Sequence, residues 1–178
     1  LQEYPELKRL LELKNNSTQR AECEIRKSLY AEKEQIQKIF CDGRKFSGTV
    51  GIYMAKGDIH RGGRSVAKVE LDNGTILYYK PHSLDKNIKY QELYNYLCRK
   101  TGISCRTVQY LSHDSYGWEE KIENIPCKNE SEVEHYYFRM GIHLFLGYAL
   151  GATDFHGENI IAHGEYPVII DMETYPGY

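Results

Sequence analysis

The amino-acid sequence predicts an α+β fold in which helices flank an antiparallel sheet. The first forty residues have the apolar spacing of a helix, and the period changes to that of strands after Gly43. Asp72-Asn73-Gly74 separates two strand-like runs, and this turn chemistry is typical of a tight β-hairpin. A later pair of short apolar runs predicts a second hairpin.

Residues 1–42 are predicted to form a helical lead-in. Its apolar residues fall on one face: Ile25, Leu29, Ile36 and Phe40. Asn15, Asn16 and Ser17 are expected to interrupt the helix, because their side chains compete for backbone hydrogen bonds. A stripe of this kind is a packing face, and no chemistry is assigned to it.

Residues 43–122 are predicted to form an antiparallel sheet that carries a helix over residues 86–100. The predicted strands are 48–54, 65–71, 75–80, 107–111 and 116–122. Alternation along the third strand places Ile76, Tyr78 and Lys80 on one face, so the hairpin carries a lysine at its far end.

Residues 123–178 are predicted to form a partial helical lobe with a polar loop and a hairpin. The capping-box spacing of Ser131 and Glu134 predicts the start of a helix that ends at Gly151. The hairpin strands are 160–162 and 168–170.

The strongest candidate site combines Asp154, Asn159 and, after the hairpin, Asp171. Protein kinases use Asp-x-x-x-x-Asn followed by a hairpin and a metal-binding Asp. One carboxylate orients the attacking hydroxyl, while the Asn and the second Asp hold magnesium against the phosphates. The first pair alone also fits a solvated loop or cap, but Asp171 after Val-Ile-Ile favours a phosphoryl-transfer site.

Lys80 is a candidate ligand of phosphate oxygens, because a lysine acts as a point charge at the end of its strand. Glu92 on the following helix could pair with it. A solvated strand-end lysine and a surface acid are the alternatives. The order of strands, lysine, helix, loop, hairpin and Asp agrees with a two-lobed, kinase-like layout.

The loop over residues 57–64 is glycine-rich and basic, and backbone amides in such loops can approach an anion. His60 could transfer protons near neutral pH, with Asp58 orienting its imidazole. A simple hairpin connection is the alternative.

Composition excludes several functional classes. The 178 residues carry a formal net charge of -2 with scattered basic residues, which argues against a nucleic-acid groove. No apolar stretch is long enough to span a bilayer, and no secretory signal is visible. The five cysteines lack a C-x-x-C pair, so reduced thiols in a cytoplasmic protein are expected. The start at Leu1 predicts a fragment.

Four stretches resemble the dehydratase domain of class II lanthipeptide synthetases. They are Gly-Asp-Ile-His-Arg-Gly-Gly-Arg-Ser-Val (57–66), Tyr-Lys-Pro-His-Ser-Leu (79–84), Thr-Asp-Phe-His-Gly-Glu-Asn-Ile-Ile-Ala (153–162) and Pro-Val-Ile-Ile-Asp-Met-Glu-Thr (167–174). The resemblance implies a lipid-kinase-like fold. It also implies that ATP and Mg²⁺ phosphorylate Ser or Thr of a ribosomally made precursor peptide, and that phosphate is then eliminated to leave a dehydroamino acid.

The resemblance also implies a role for each matching residue. Asp154 would act on the peptide hydroxyl with His156 supporting its loop, and Asp58 and His60 would serve elimination. The remaining residues would bind ATP phosphates or magnesium: Lys80, Asn159 and Asp171.

The sequence departs from the family at His82, where the family often has Arg. The family's elimination step also needs an Arg and a Thr further downstream, and its cyclase domain holds zinc. Both are expected in a continuation of the same polypeptide beyond Tyr178. Two alternatives stay open: a kinase-like phosphotransferase without elimination, and a truncated kinase-like module that only binds peptide or nucleotide.

Overall fold

The structure of the chain, a computed structural model, describes residues 4–54, 65–152 and 155–171. Its helices are α1 (Pro5–Ala31), α2 (Lys33–Phe40), α3 (Asp85–Thr101) and α4 (Glu130–Leu150). Its strands are β1 (Thr49–Met54), β2 (Ala67–Leu71), β3 (Ile76–Lys80), β4 (Tyr110–Ser112), β5 (Gly117–Glu120), β6 (Ile160–His163) and β7 (Tyr166–Ile169). The predicted α+β class is confirmed. None of the helices in the described part of the chain is long and apolar enough to cross a membrane.

The chain divides into two compact units. The first comprises residues 1–83 and 111–120, and the second comprises residues 84–110 and 121–178. The predicted grouping of 43–122 places helix α3 with the sheet, whereas the internal contacts of the structure group α3 with α4 and the β6–β7 hairpin. The reason is that Tyr90, Tyr94 and Cys98 of α3 share a buried core with Leu146 and Ile169. The three-part division as a whole stays a prediction.

A five-stranded sheet in the order β1-β2-β3-β5-β4 forms the frame of the first unit. The β2–β3 turn has the predicted chemistry: Gly74 adopts a positive φ of 84°, and the Leu71 amide donates to the Thr75 carbonyl at 2.9 Å. Alternate residues of β2 are buried, as expected of a strand with one face on a core. The last strands differ in extent from the prediction, since β4 is only Tyr110–Ser112.

Helices α1 and α2 cover the apolar face of this sheet. The buried core combines their apolar stripe with residues of β2, β3 and β5: Ile25, Leu29, Ile36, Val69, Leu71, Leu77, Tyr79 and Trp118. The predicted stripe on the lead-in helix is therefore a packing face, as expected.

The predicted interruption of the lead-in helix at residues 15–17 is wrong, because α1 runs unbroken from Pro5 to Ala31. The break lies at Glu32, between α1 and α2. Its buried carboxylate accepts hydrogen bonds from Trp118 Nε1 at 2.7 Å and from the Tyr116 hydroxyl. His113 Nε2 lies 3.1 Å from the same carboxylate. Long-range contacts, and not local polar residues, thus place the break.

The second unit contains α3, α4 and the β6–β7 hairpin. Both helices end at the predicted glycines in the left-handed conformation, with φ of 72° at Gly102 and 66° at Gly151. The predicted start of α4 at Ser131 is displaced, because the N-cap is Asn129, whose side chain accepts from the Glu132 amide at 3.0 Å. The Glu132 carboxylate accepts from the Lys128 amide, one residue before the N-cap, whereas a capping box uses the N-cap amide.

Helix α4 has two unlike faces. Its buried face includes Arg139, His143 and Leu146, at helical spacing. Its other side exposes large apolar side chains: Val133, Tyr137, Phe138, Leu144, Phe145 and Tyr148. Part of this side, together with Leu97 and Thr101 of α3, lines an apolar groove of about 480 Å³.

His143 ties three elements of the second unit together. The Tyr90 hydroxyl of α3 lies 2.6 Å from its Nδ1, and its Nε2 lies 3.1 Å from the carbonyl oxygen of Pro167 in β7. A neutral ring satisfies both contacts when Nε2–H donates to Pro167 and Nδ1 accepts from Tyr90. Burial disfavours the charged ring and lowers the pKa of His143 from 6.5 to about 4.

This lowered pKa predicts that the chain loses stability in mild acid. Between pH 6.5 and about 4 the unfolded chain binds a proton at His143 that the folded chain does not bind. The free energy of unfolding should therefore fall through this window, by about 3 kcal/mol for this group. Urea unfolding at pH 7 and pH 4.5 should show a smaller fall in His143→Gln than in the wild type. His135→Gln removes an exposed histidine and should keep the wild-type fall. An imidazole of His143 that titrates near pH 6.5 by NMR would contradict the assignment.

Candidate functional site

The β6–β7 hairpin brings predicted site residues to its open end. Its register pairs Ile160 with Ile169. The pairing continues to the residues just outside the two strands, Asn159 and Ile170. The Ile170 amide donates to the Asn159 carbonyl at 3.0 Å, and Asp171 is the next residue. The Asn159 amide in turn donates to the His156 carbonyl at 3.0 Å. Predicted residues therefore lie on both sides of the open end, with His156 and Asn159 before β6 and Asp171 after β7.

The turn end of the same hairpin is fixed by the buried Arg139 of α4. Its guanidinium donates to the Glu165 carboxylate at 2.9 Å and to the Glu165 carbonyl at 3.2 Å. It also donates to the Ser104 carbonyl and hydroxyl, each at 2.9 Å, and lies 4.4 Å from the ring centre of Tyr166. A planar fork with several donors suits this position, whereas a point charge does not.

One edge of the hairpin is paired with the segment before α4. The Gly164 amide donates to the Ile125 carbonyl at 2.7 Å, and the Ile125 amide donates to the Ala162 carbonyl at 2.9 Å. His163 Nδ1 lies 2.8 Å from the carbonyl oxygen of Glu123. These contacts hold the turn end of β6.

The loop that leads into the hairpin is anchored at Phe155. Its ring packs in the second-unit core with Tyr90 and His143. Gly147 of α4 makes room for it, since a Cβ built at Gly147 would lie 3.3 Å from the Phe155 ring. The residue after Asp154 therefore has a fixed position, although Asp154 itself lies outside the described residues.

The oxygen donors of Asn159 and Asp171 suit magnesium. Mg²⁺ prefers oxygen ligands and commonly uses one or two carboxylates, with water and substrate phosphates completing the shell. The residues 4–54, 65–152 and 155–171 contain no group of three or more His, Cys, Asp or Glu side chains that could hold a metal. Magnesium held by Asn159 and Asp171 stays a prediction.

Lys80 lies at the end of β3 in the first unit, as predicted, and its side chain is buried. Its ammonium forms an ion pair with Glu119 of β5, with Nζ and Oε2 3.0 Å apart. Local sequence patterns do not indicate Glu119 as a partner of Lys80. The signal was the β3–β5 pairing, which places Tyr78 opposite Glu119 and Lys80 opposite Gly117.

The structure does not test the roles predicted for the remaining residues. Glu92 is exposed on α3, and its pairing with Lys80 stays a prediction. Asp58 and His60 lie outside the described residues, so their role in a glycine-rich loop also stays a prediction.

Comparison with known proteins gives the family. Residues 4–176 match the family described as "Domain of unknown function (DUF4135)". The chain therefore belongs to this family. It is also similar to the lacticin 481/lactococcin biosynthesis protein LcnDR2 of Lactococcus lactis subsp. lactis, with 34% identity over 135 residues. The match covers 71% of this chain and 14% of that protein, so the chain spans a small part of the length of its relative.

The Arg139 contacts predict that a lysine at this position loosens the hairpin. Arg139→Lys keeps the charge, but a lysine cannot donate at the same time to Ser104, to the Glu165 carboxylate and to the Glu165 carbonyl. Leaving buried acceptors unsatisfied costs about 1–3 kcal/mol. Hydrogen exchange of the β6 and β7 amides should accelerate about tenfold or more, since 1.4 kcal/mol is a factor of ten.

A matched control for this variant is His135→Gln. His135 contacts the same Glu165 carboxylate, at 2.8 Å, but it is largely exposed. Its loss should change stability by less than about 0.5 kcal/mol. Wild-type exchange rates in Arg139→Lys would show that the hairpin does not depend on the guanidinium.

Proposed function

We propose that the complete protein containing this chain modifies a ribosomally made precursor peptide with ATP and Mg²⁺. In this reaction it phosphorylates Ser or Thr and then eliminates the phosphate to give a dehydroamino acid. The observation that carries the proposal is the hairpin end, where the Ile170 amide donates to the Asn159 carbonyl and Asp171 is the next residue. The similarity to LcnDR2, named as a lacticin 481 biosynthesis protein, supports the peptide as the substrate class.

The first step is phosphoryl transfer within a two-lobed, kinase-like fold. Asp154 orients the Ser or Thr hydroxyl and accepts its proton as the oxygen attacks the γ-phosphorus, and ADP leaves. His156 supports this loop through the bond from the Asn159 amide to its carbonyl. Lys80 places a positive charge against the phosphates. Magnesium held by Asn159 and Asp171 would neutralise phosphate charge during transfer.

The second step is elimination from the phosphorylated residue. A base removes the proton of the α-carbon, the electron pair of that C–H bond forms the new double bond, and the C–O bond to phosphate breaks. His60 is assigned to proton transfer in this step, with Asp58 orienting its ring. Simple phosphotransfer gives these two residues no task, so they distinguish this proposal from a kinase-like enzyme without elimination. The cytoplasm, where thiols stay reduced, is the proposed location.

Incubation of the complete protein with ATP, Mg²⁺ and a Ser/Thr-rich precursor peptide tests the proposal directly. Mass spectrometry should show loss of water from the peptide. Accumulated phosphopeptide with no loss of water would indicate a phosphotransferase without elimination. An unchanged peptide together with calorimetric binding of peptide or nucleotide would indicate a binding module.

Asp171→Asn should abolish magnesium-dependent phosphorylation in the complete protein, because an amide removes the charge of a ligand to a hard cation. The measurement is ADP release and peptide mass with ATP and Mg²⁺. Glu158→Gln neutralises an exposed acid in the turn before β6 and should retain activity. Wild-type turnover in Asp171→Asn would make Asp171 a structural residue.

His60→Ala should separate the two steps. The variant should still transfer phosphate and then accumulate phosphopeptide, since a positioned acid–base group contributes about a hundredfold to ten-thousandfold in rate. Lys80→Ala should instead give neither phosphorylated nor dehydrated product from unmodified peptide. Normal dehydration by His60→Ala would remove the elimination role of this loop.

A further inference from the structure

Helix α4 has two glycines in its interior, Gly141 and Gly147. Glycine is less favourable than alanine inside a helix, because it loses more backbone freedom on folding. A Cβ built at Gly141 would meet no atom of the described residues within 4 Å, so alanine fits there. A Cβ built at the buried Gly147 would lie 3.3 Å and 3.5 Å from two ring carbons of Phe155. The missing side chain at Gly147 therefore leaves space for this ring.

Phe155 also packs against two buried rings that contact each other. Its ring centre lies 6.4 Å from that of Tyr90 in α3, edge to face, and 6.4 Å from that of His143 in α4. The Tyr90 hydroxyl lies 2.6 Å from His143 Nδ1. The Phe155 ring thus occupies a site formed by both helices, which we call the Phe155 seat (Tyr90, His143 and Gly147).

The Phe155 seat is connected to the β6–β7 hairpin through His143. The Nε2 atom of this side chain lies 3.1 Å from the carbonyl oxygen of Pro167 in β7. One buried residue therefore contacts both the loop before β6 and the second strand of the hairpin. Phe155 directly follows Asp154 in the sequence. A displaced ring would therefore also displace the chain next to the proposed acceptor of the hydroxyl proton.

A methyl group at position 147 would displace the ring without unfolding the core. The 3.3 Å distance is closer than most Cβ contacts in proteins, so the ring would have to move by a few tenths of an ångström. Phe155 is only half-buried, so this movement is possible towards solvent. The expected effect of alanine at position 147 is therefore a shifted loop in a folded protein.

We infer that Phe155 positions Asp154 for phosphoryl transfer, and that glycine is required at position 147 because the ring needs its space. Phe155 acts through Asp154, its neighbour in the chain. The transfer needs the base within hydrogen-bond reach of the Ser or Thr hydroxyl. A misplacement of about 1 Å can lower the rate by about a hundredfold. The inference rests on the proposed role of Asp154.

Gly147→Ala in the complete protein tests the inference. The kcat of peptide phosphorylation should fall by about tenfold, since the displacement is less than 1 Å. KM for ATP should stay within about twofold of the wild type, because the interaction lost is one that assists the transfer and not nucleotide binding. A synthetic phosphopeptide supplied with nucleotide should still lose phosphate at the wild-type rate, because this step is assigned to His60. A general loss of folding would lower both rates.

Gly141→Ala is the matched control, since it adds the same methyl group to the same helix where no described atom is near. It should keep the wild-type kcat. Phe155→Leu is a second variant, which keeps an apolar side chain and removes the ring. It should also lower the kcat of phosphorylation by about tenfold. Leucine leaves room for the methyl group, so the combination of Gly147→Ala with Phe155→Leu should be no worse than Phe155→Leu alone.

Two results would overturn the inference. One is a Gly147→Ala or Phe155→Leu enzyme that phosphorylates the peptide as Gly141→Ala does. The other is an equal loss of phosphorylation and elimination, which would make the Phe155 seat important only for folding. Normal phosphorylation by Asp154→Asn would instead remove the proposed role of Asp154 itself, and that result is distinct from failure at Phe155 alone.

Discussion

The register of the β6–β7 hairpin is the constraint on which the candidate metal site depends. A two-stranded hairpin is marginally stable alone, and a slip of one residue would turn every side chain to the other face. Here Arg139 binds the turn, His143 binds the Pro167 carbonyl in β7, and the Ile125 backbone pairs with the edge. Asn159 and Asp171 both flank the open end of the hairpin because contacts from outside it hold the register of its two strands.

Local chemistry predicted much of this structure. The turn at Gly74 and the helix ends at Gly102 and Gly151 follow from residues that favour a left-handed backbone, so the sequence specifies them directly. The alternation of β3 placed Lys80 at its end, and the two short runs around Gly164 form the expected hairpin. In each case the deciding residues lie within a few positions of one another.

The features that were not predicted from the sequence depend on contacts between residues far apart in the chain. Glu119 pairs with Lys80 through a strand register that joins segments almost forty positions apart. The helix break at Glu32 is set by its hydrogen bonds with Trp118 of β5 and with Tyr116, which precedes that strand. On α4, Arg139 and His143 are buried because hairpin carbonyls satisfy their donors, while apolar side chains face outward. Hydrophobicity alone does not identify the inward face of such a helix.

The outward face of α4 has a practical consequence for work with this chain. Tyr137, Phe138 and Phe145 are each at least 60% exposed and Tyr148 is 90% exposed, and several of them border the apolar groove with α3. Contiguous apolar surface of this kind promotes self-association in water. Salts such as sulfate, which are excluded from protein surfaces, strengthen that association. Purification at low protein concentration and without ammonium sulfate therefore suits the chain, and a polar substitution at Tyr148 is the least disruptive route to a more soluble sample.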